Sequence, residues 1–277
     1  MNRVYHSNGV KLAFRETGTG IPVIFLHPTP LDRDYWRPLT EELGGVRAIV
    51  PDLRGHGSSE LGTNLPVGGF SAVPDAPVLT MNQIATDVLA LMDYLEIADA
   101  VFAGCSIGGY VLLELWRIAP QRMNGLAFVC SKPQPDTEAN QAKRAANIAQ
   151  LRSDGTAALF DGMARNLTGK TAQERHPGMV AELRARMTLS TQAAIAVQAG
   201  LAARPDSLPT VSAITAPVLA IAGGEDSAVT PAEMEAFASA PGGCEYHLLP
   251  DAGHFAAYEQ PQKVAALLAE WLRQPQA

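Results

Sequence analysis

The sequence predicts an α/β fold, a mostly parallel sheet with helices on both faces. Three observations predict it. Short, continuously apolar runs recur along the 277 residues, as expected of strands covered on both sides. Segments of helical periodicity separate most of these runs, which is the alternation that builds a parallel sheet. Gly, Asp and His gather just after several runs, where the loops at the carboxyl edge of such a sheet lie.

The elements follow in order. Asn8-Gly9 forms the turn of a hairpin between Arg3–His6 and Val10–Arg15, because both residues tolerate the positive φ of a tight turn. Pro22–Leu26 and Arg47–Val50 are the next strands. Residues 61–79 are rich in Gly, Pro and Ser and hold no clear element, and a connection that long is either functional or mobile. Thr80-x-x-Gln83 is a capping-box pattern, and Ile84, Val88, Leu91, Met92 and Leu95 then share one helix face. Ala100–Ala103 is a strand, and the helix after Ser106 is apolar on nearly every side, Glu114 and Arg117 excepted, so it is buried. Gly125–Val129 is another strand. From about 133 to 213 the pattern is helical without a convincing strand. This segment reads as a helical lid within one domain spanning 1–277, because strands resume at Val218–Ala222 and Glu245–Leu249. The last helix starts near Pro261, a favoured first-turn residue, and buries Val264, Leu267, Leu268 and Trp271.

Composition narrows the function. The chain is 47% hydrophobic and 18% charged, with net charge −7 and a pI near 5.4. It is therefore globular, without a basic footprint for nucleic acid. No apolar stretch of about 18 residues suggests a membrane span. The first residues are polar and alternating, unlike a signal peptide, so the expected compartment is the cytoplasm. Cys105, Cys130 and Cys244 are scattered, which argues against a disulfide framework or a zinc site, and no metal is expected.

The chemistry centres on Gly104-Cys105-Ser106-Ile107-Gly108, which joins an apolar strand to a helix. This is G-x-S-x-G in the strand–turn–helix setting that lifts a serine hydroxyl above a sheet edge. The N–H of Ile107 opens the helix and can face a developing oxyanion. A serine nucleophile needs a base, and the base an orienting acid. Glu225-Asp226 follows one later strand, and Gly253-His254 follows the next. Only one of the two adjacent acids can point at His254, and the shorter Asp226 is favoured. His27-Pro28-Thr29-Pro30 follows the strand Pro22–Leu26, and Thr29 is the nearest residue there with an N–H to offer. Asp52-Leu53-Arg54-Gly55-His56-Gly57-Ser58-Ser59 looks chemical but reads as a tight loop whose charges fix its own turns.

On these motifs the chain resembles the α/β-hydrolase superfamily over its whole length, and within it small bacterial carboxylesterases and enol-lactonases. The resemblance implies an eight-stranded, mostly parallel sheet and no cofactor. It implies Ser106 as nucleophile, Asp226 as acid, His254 as base, and the N–H groups of Thr29 and Ile107 as oxyanion hole. The first motif departs from the usual His-Gly, having His27-Pro28 instead.

The expected reaction is hydrolysis of a carboxylic ester through an acyl-enzyme on Ser106, with Leu159, Phe160, Met163 and Met187 of the lid holding the substrate. The partner is thus a small-molecule ester or lactone, with neither nucleic acid nor membrane. Between residues 132 and 210 there are ten Lys/Arg against seven Asp/Glu, on a chain that is acidic overall. A lactonase acting on a carboxylate-bearing enol-lactone is therefore the alternative. A non-hydrolytic catalyst or a ligand receptor on the same fold is the reading from another class.

Overall fold

The computed structural model describes residues 2–273. Eight strands form one sheet: β1 (Asn2–Ser7), β2 (Val10–Thr17), β3 (Ile21–Leu26), β4 (Val46–Pro51), β5 (Ala100–Cys105), β6 (Met123–Val129), β7 (Val218–Gly223) and β8 (Cys244–Leu249). Their order is β1-β2-β4-β3-β5-β6-β7-β8. β2 pairs antiparallel with β1 and β4, and every other pairing is parallel. Each apolar run read as a strand is one, extended by a residue or two where pairing continues past the apolar stretch. The hairpin turn holds Asn8 at φ 49° and Gly9 at φ 79°.

Of the sheet's central strands, β5 and β7 are buried along their whole length, and β3 and β6 over most of it. α1 (Arg37–Glu42) joins β3 to β4, while α2 (Met81–Tyr94) joins β4 to β5 and α3 (Ile107–Ile118) joins β5 to β6. The first crossover runs one way along the sheet and the next two run the other. Right-handed crossovers therefore put α1 on one face and α2 and α3 on the opposite face. The Thr80 hydroxyl accepts from Gln83 N–H at 3.1 Å, so the serine- or threonine-first half of the capping box forms.

Between β6 and β7 the chain builds six helices: α4 (Glu138–Asp154), α5 (Ala157–Leu167), α6 (Lys170–Arg175), α7 (Met179–Ala185), α8 (Thr191–Ala202) and α9 (Leu208–Val211). α10 (Pro231–Met234) precedes β8, and α11 (Ala256–Glu259) and α12 (Pro261–Leu272) close the described chain. α1 packs against α11 and α12. Among the described residues no helix is long and apolar enough to cross a membrane.

The irregular segment 61–79 acts as a strap under the inserted helices. Phe70, Ala76 and Val78 are buried in a small cluster with Ile148 of α4 and with Ala199 and Ala202 of α8. Leu79 N–H donates to Ala196 O at 3.0 Å, and a Cβ on Gly200 would lie 1.8 Å from Leu79 O. Only glycine lets α8 approach the strap this closely.

Candidate active site

β3 lies between β4 and β5, and the chain leaves β3 and β5 in opposite directions. The loops beyond these two strands part and leave a crevice at the sheet's carboxyl edge. Ser106 stands at the end of β5 in this crevice, at φ 53° and ψ −117°. For a non-glycine residue such backbone costs about 1–3 kcal/mol and persists only where neighbours over-determine it. Here they do. Ser106 N–H donates to Val129 O at 3.1 Å, and its carbonyl accepts from the Ser131 hydroxyl at 2.9 Å and from Gly109 N–H at 2.9 Å. A Cβ on Gly104 would lie 2.5 Å from the Gly108 carbonyl carbon, and one on Gly108 would lie 2.2 Å from Leu26 O. The two glycines of the motif are thus what allow strand, helix and β3 to meet.

The three loops carrying the predicted acid, base and nucleophile converge. His254 Nδ1 lies 2.7 Å from Asp226 Oδ2, and both residues are buried. Asp226 Oδ1 accepts from Ala228 N–H at 2.7 Å and Val229 N–H at 3.1 Å, which fixes the carboxylate's orientation. A carboxylate only accepts, so Nδ1 carries the proton and Nε2 is left as the basic nitrogen. The adjacent Glu225 points elsewhere: it accepts from Thr171 N–H at 2.9 Å and the Thr171 hydroxyl at 2.6 Å, at the start of α6. Ser106, Thr29 and His254 line one cavity of about 410 Å³ beneath the inserted helices.

Thr29 is held by the loop that the sequence marked as structural. Its hydroxyl lies 2.9 Å from His56 Nε2, and His56 Nδ1 lies 3.0 Å from Arg54 O. A carbonyl only accepts, so Nδ1 is the protonated nitrogen and Nε2 accepts from the threonine. His27 is fixed in the same manner, with Nδ1 on Pro28 O and Nε2 accepting from Leu53 N–H, both at 3.0 Å. Burial lowers the pKa of His27 to about 4 and that of His56 to about 3. Repulsion from a protonated His27 would oppose the charging of His56 further. Both rings are therefore neutral spacers. Arg54 is paired to Asp87 of α2 through one guanidinium edge, Nη2 and Nε at 2.6 and 2.7 Å, and Asp52 is paired to Arg33, so these charges tie the loop to neighbouring segments, while Asp52 also accepts from Ser58 N–H at 2.7 Å and holds the loop's own turn. Among the described residues neither Thr29 N–H nor Ile107 N–H meets a backbone or side-chain acceptor, which leaves both amides open.

The predicted substrate contacts divide. Leu159 and Met163 of α5 line the cavity. Phe160 and Met187 do not: both are buried in the main core, Phe160 with Ala164 one turn on. An apolar residue in an amphipathic helix serves whichever face its position dictates, and residues 159 and 163 share one face while 160 and 164 share the next. The sequence reading also missed the cavity's polar wall. Asn140, Lys143, Arg144, Asn147 and Gln150 of α4 line it, with Lys132 and Asp136 below. Arg144 pairs with Asp136 at 3.1 Å and donates to Gln198 Oε1 at 3.3 Å. Lys143 is exposed and forms no ion pair among the described residues. The helical spacing of these residues was legible, but which face of α4 met the cavity was not. No group of three or more His, Cys, Asp or Glu among the described residues is placed to hold a metal ion.

Comparison with known proteins agrees with this fold. The model of the "Alpha/beta hydrolase family" matches residues 23–267. A thermophilic esterase from Thermogutta terrifontis, solved with malate bound, superposes with TM-score 0.89 at 31% identity, covering 100% of both chains. The enol-lactonase from Burkholderia xenovorans LB400 superposes with TM-score 0.86 at 26% identity, covering 98% of this chain and 100% of that one. A Mycobacterium tuberculosis protein, provisionally named a non-heme bromoperoxidase, is 27% identical over 266 residues, 92% of this chain and 95% of its own length.

Proposed function

The chain belongs to the alpha/beta hydrolase family, and from that premise we propose that it is a serine hydrolase cleaving carboxylic esters through an acyl-enzyme on Ser106. One observation carries the reading: Ser106, on its strained turn, opens into the same cavity as His254, whose Nδ1 is bonded to Asp226. His254 Nε2 takes the Ser106 proton as Oγ attacks the ester carbonyl. The amides of Thr29 and Ile107 bind the oxyanion. His254 returns the proton to the leaving alcohol, and the C–O bond breaks. Water, deprotonated by His254, then attacks the acyl-enzyme, and Ser106 leaves with the proton. Asp226 keeps the ring in the required tautomer and stabilises the imidazolium. The esterase neighbour supports the choice of substrate class. The test is a panel of aryl esters and lactones with wild type and Ser106→Ala. A fluorophosphonate should label Ser106 alone, and full esterase activity in Ser106→Ala would refute the mechanism.

A second reading, favoured by the α4 wall, is that the substrate carries a carboxylate. Lys132, Lys143 and Arg144 line the cavity against the single acid Asp136. The malate in the Thermogutta structure and the enol-lactonase neighbour are consistent with an anionic lactone or ester.

A further inference from the structure

Glu259 ends α11, five residues after His254, and its carboxylate turns back onto the backbone that bears the histidine. Oε2 accepts from Gly253 N–H at 2.7 Å and from Gly169 N–H at 3.3 Å, and Oε1 accepts from Phe255 N–H at 3.2 Å. Gly253 and Phe255 flank His254, and Gly169 is the corner between α5 and α6. His254's own N–H donates to Leu167 O at 2.8 Å, in the same corner. All three amides of the 253–255 stretch are therefore held by one carboxylate and one carbonyl of the inserted helices. The two backbones touch: a Cβ on Gly169 would lie 2.6 Å from Gly253 N, and one on Gly253 would lie 2.3 Å from Gly169 N. From the other side, the buried thiols of Cys130 and Cys105 reach Gly253 O at 3.5 Å and His254 O at 3.6 Å.

We infer that Glu259 is a positioning residue for His254: by gripping the amides on both sides of the histidine together with Gly169, it sets the approach of the imidazole to Ser106 and ties that approach to the docking of the α5–α6 corner. This rests on His254 acting as the base. The side chain is placed for such a role and for little else. Among the described residues its carboxylate forms no ion pair, and it spends both oxygens on backbone donors. Burial raises its pKa and three N–H donors counter that rise, as expected of a carboxylate inside a backbone nest.

The consequence concerns turnover rather than affinity, because Glu259 is absent from the cavity wall. The experiment measures kcat and KM on an aryl ester for wild type, Glu259→Ala and Glu259→Gln, with active sites counted by fluorophosphonate titration and folding checked by thermal melting. A misplacement near 1 Å can cost about 100-fold, so Glu259→Ala should lower kcat per titrated site on that order, with KM changed less than about threefold. Glu259→Gln keeps one oxygen for the Gly253 and Gly169 amides but turns an NH2 group to the Phe255 amide, so it should recover about tenfold of the loss and leave kcat about tenfold below wild type. If Glu259→Ala does not fold, the isosteric Gln variant decides by the same split. Unchanged kcat per site, or a loss confined to KM, overturns the inference. His254→Ala separates it from the reading beneath: if that variant keeps wild-type turnover, the base assignment fails and this inference with it. If His254→Ala is dead while both Glu259 variants turn over as wild type, only the role of Glu259 is lost.

Discussion

Ser106 shows how much of this site is decided by single residues. Its φ of 53° is imposed by the packing of β5, α3 and β3, and no other residue type in the turn has to bear that strain. Asp226 and Glu225 are neighbours in sequence with different work. Asp226 reaches His254 at 2.7 Å, and Glu225 reaches Thr171. Asp226→Asn should therefore lower kcat by about 10⁴, the loss expected when the wrong tautomer is held, whereas Glu225→Gln should keep most of the turnover. Steady-state kinetics on one ester checks both, and the opposite ranking would move the acid to Glu225. Thr29 gives a second contrast. Thr29→Val keeps the amide, so kcat should fall less than tenfold against the roughly 10²–10³ lost with an oxyanion donor. The same change leaves His56 Nε2 as a buried acceptor without a partner, which costs about 1–3 kcal/mol of stability, measurable by urea unfolding. A hundredfold drop in kcat would show that the hydroxyl takes part in the chemistry.

At the scale of elements, the Asp52–Ser59 loop makes a prediction about acid. His27 and His56 have folded pKa values of about 4 and about 3, below the ordinary value near 6.5. The unfolded chain takes up these protons first. Their contribution to stability is complete above pH about 6.5 and is lost as pH falls toward the folded values. Each histidine should give a slope of about 1.4 kcal/mol per pH unit in that window. His56→Gln should remove one such slope between pH 4.5 and 6, whatever it does to absolute stability; equal slopes in urea titrations would reject the account. Helix α5 supplies the other test. Phe160 faces the core, so Phe160→Ala should cost about 3–5 kcal/mol of stability. Leu159 and Met163 face the cavity, so Leu159→Ala and Met163→Ala should alter KM for long-chain esters with little effect on the melt. Both of these stripes of α5 are apolar, and only docking could say which faced the substrate. The polar stripe of α4 was hidden for the mirrored reason: polar residues on a helix look like a solvated face until something closes over them.

At the scale of the whole molecule, charge is distributed unevenly: the chain is −7 overall, yet its cavity wall carries three cationic side chains against one acid. If the substrate is anionic, kcat/KM should exceed that for neutral esters and fall steeply as salt shortens the Debye length from about 8 Å to about 3 Å. Lys143→Glu should abolish that preference while leaving neutral esters unaffected. Equal salt dependence for charged and neutral substrates would leave the neutral-ester reading alone. The sequence by itself determined the sheet, the elbow at Ser106 and the strand-end positions of Asp226 and His254. Those follow from local rules, namely the period of apolar residues, the need for glycine where backbones touch, and the gathering of Gly, Asp and His just after strands at the sheet's carboxyl edge. It did not determine that Thr29 is anchored by His56, that Phe160 and Met187 belong to the core, or that Glu259 grips the amides beside His254. Each of these is a contact between distant segments, and the direction of a side chain in a loop or on a two-faced helix is set by what packs against it. Only the tertiary structure holds that information.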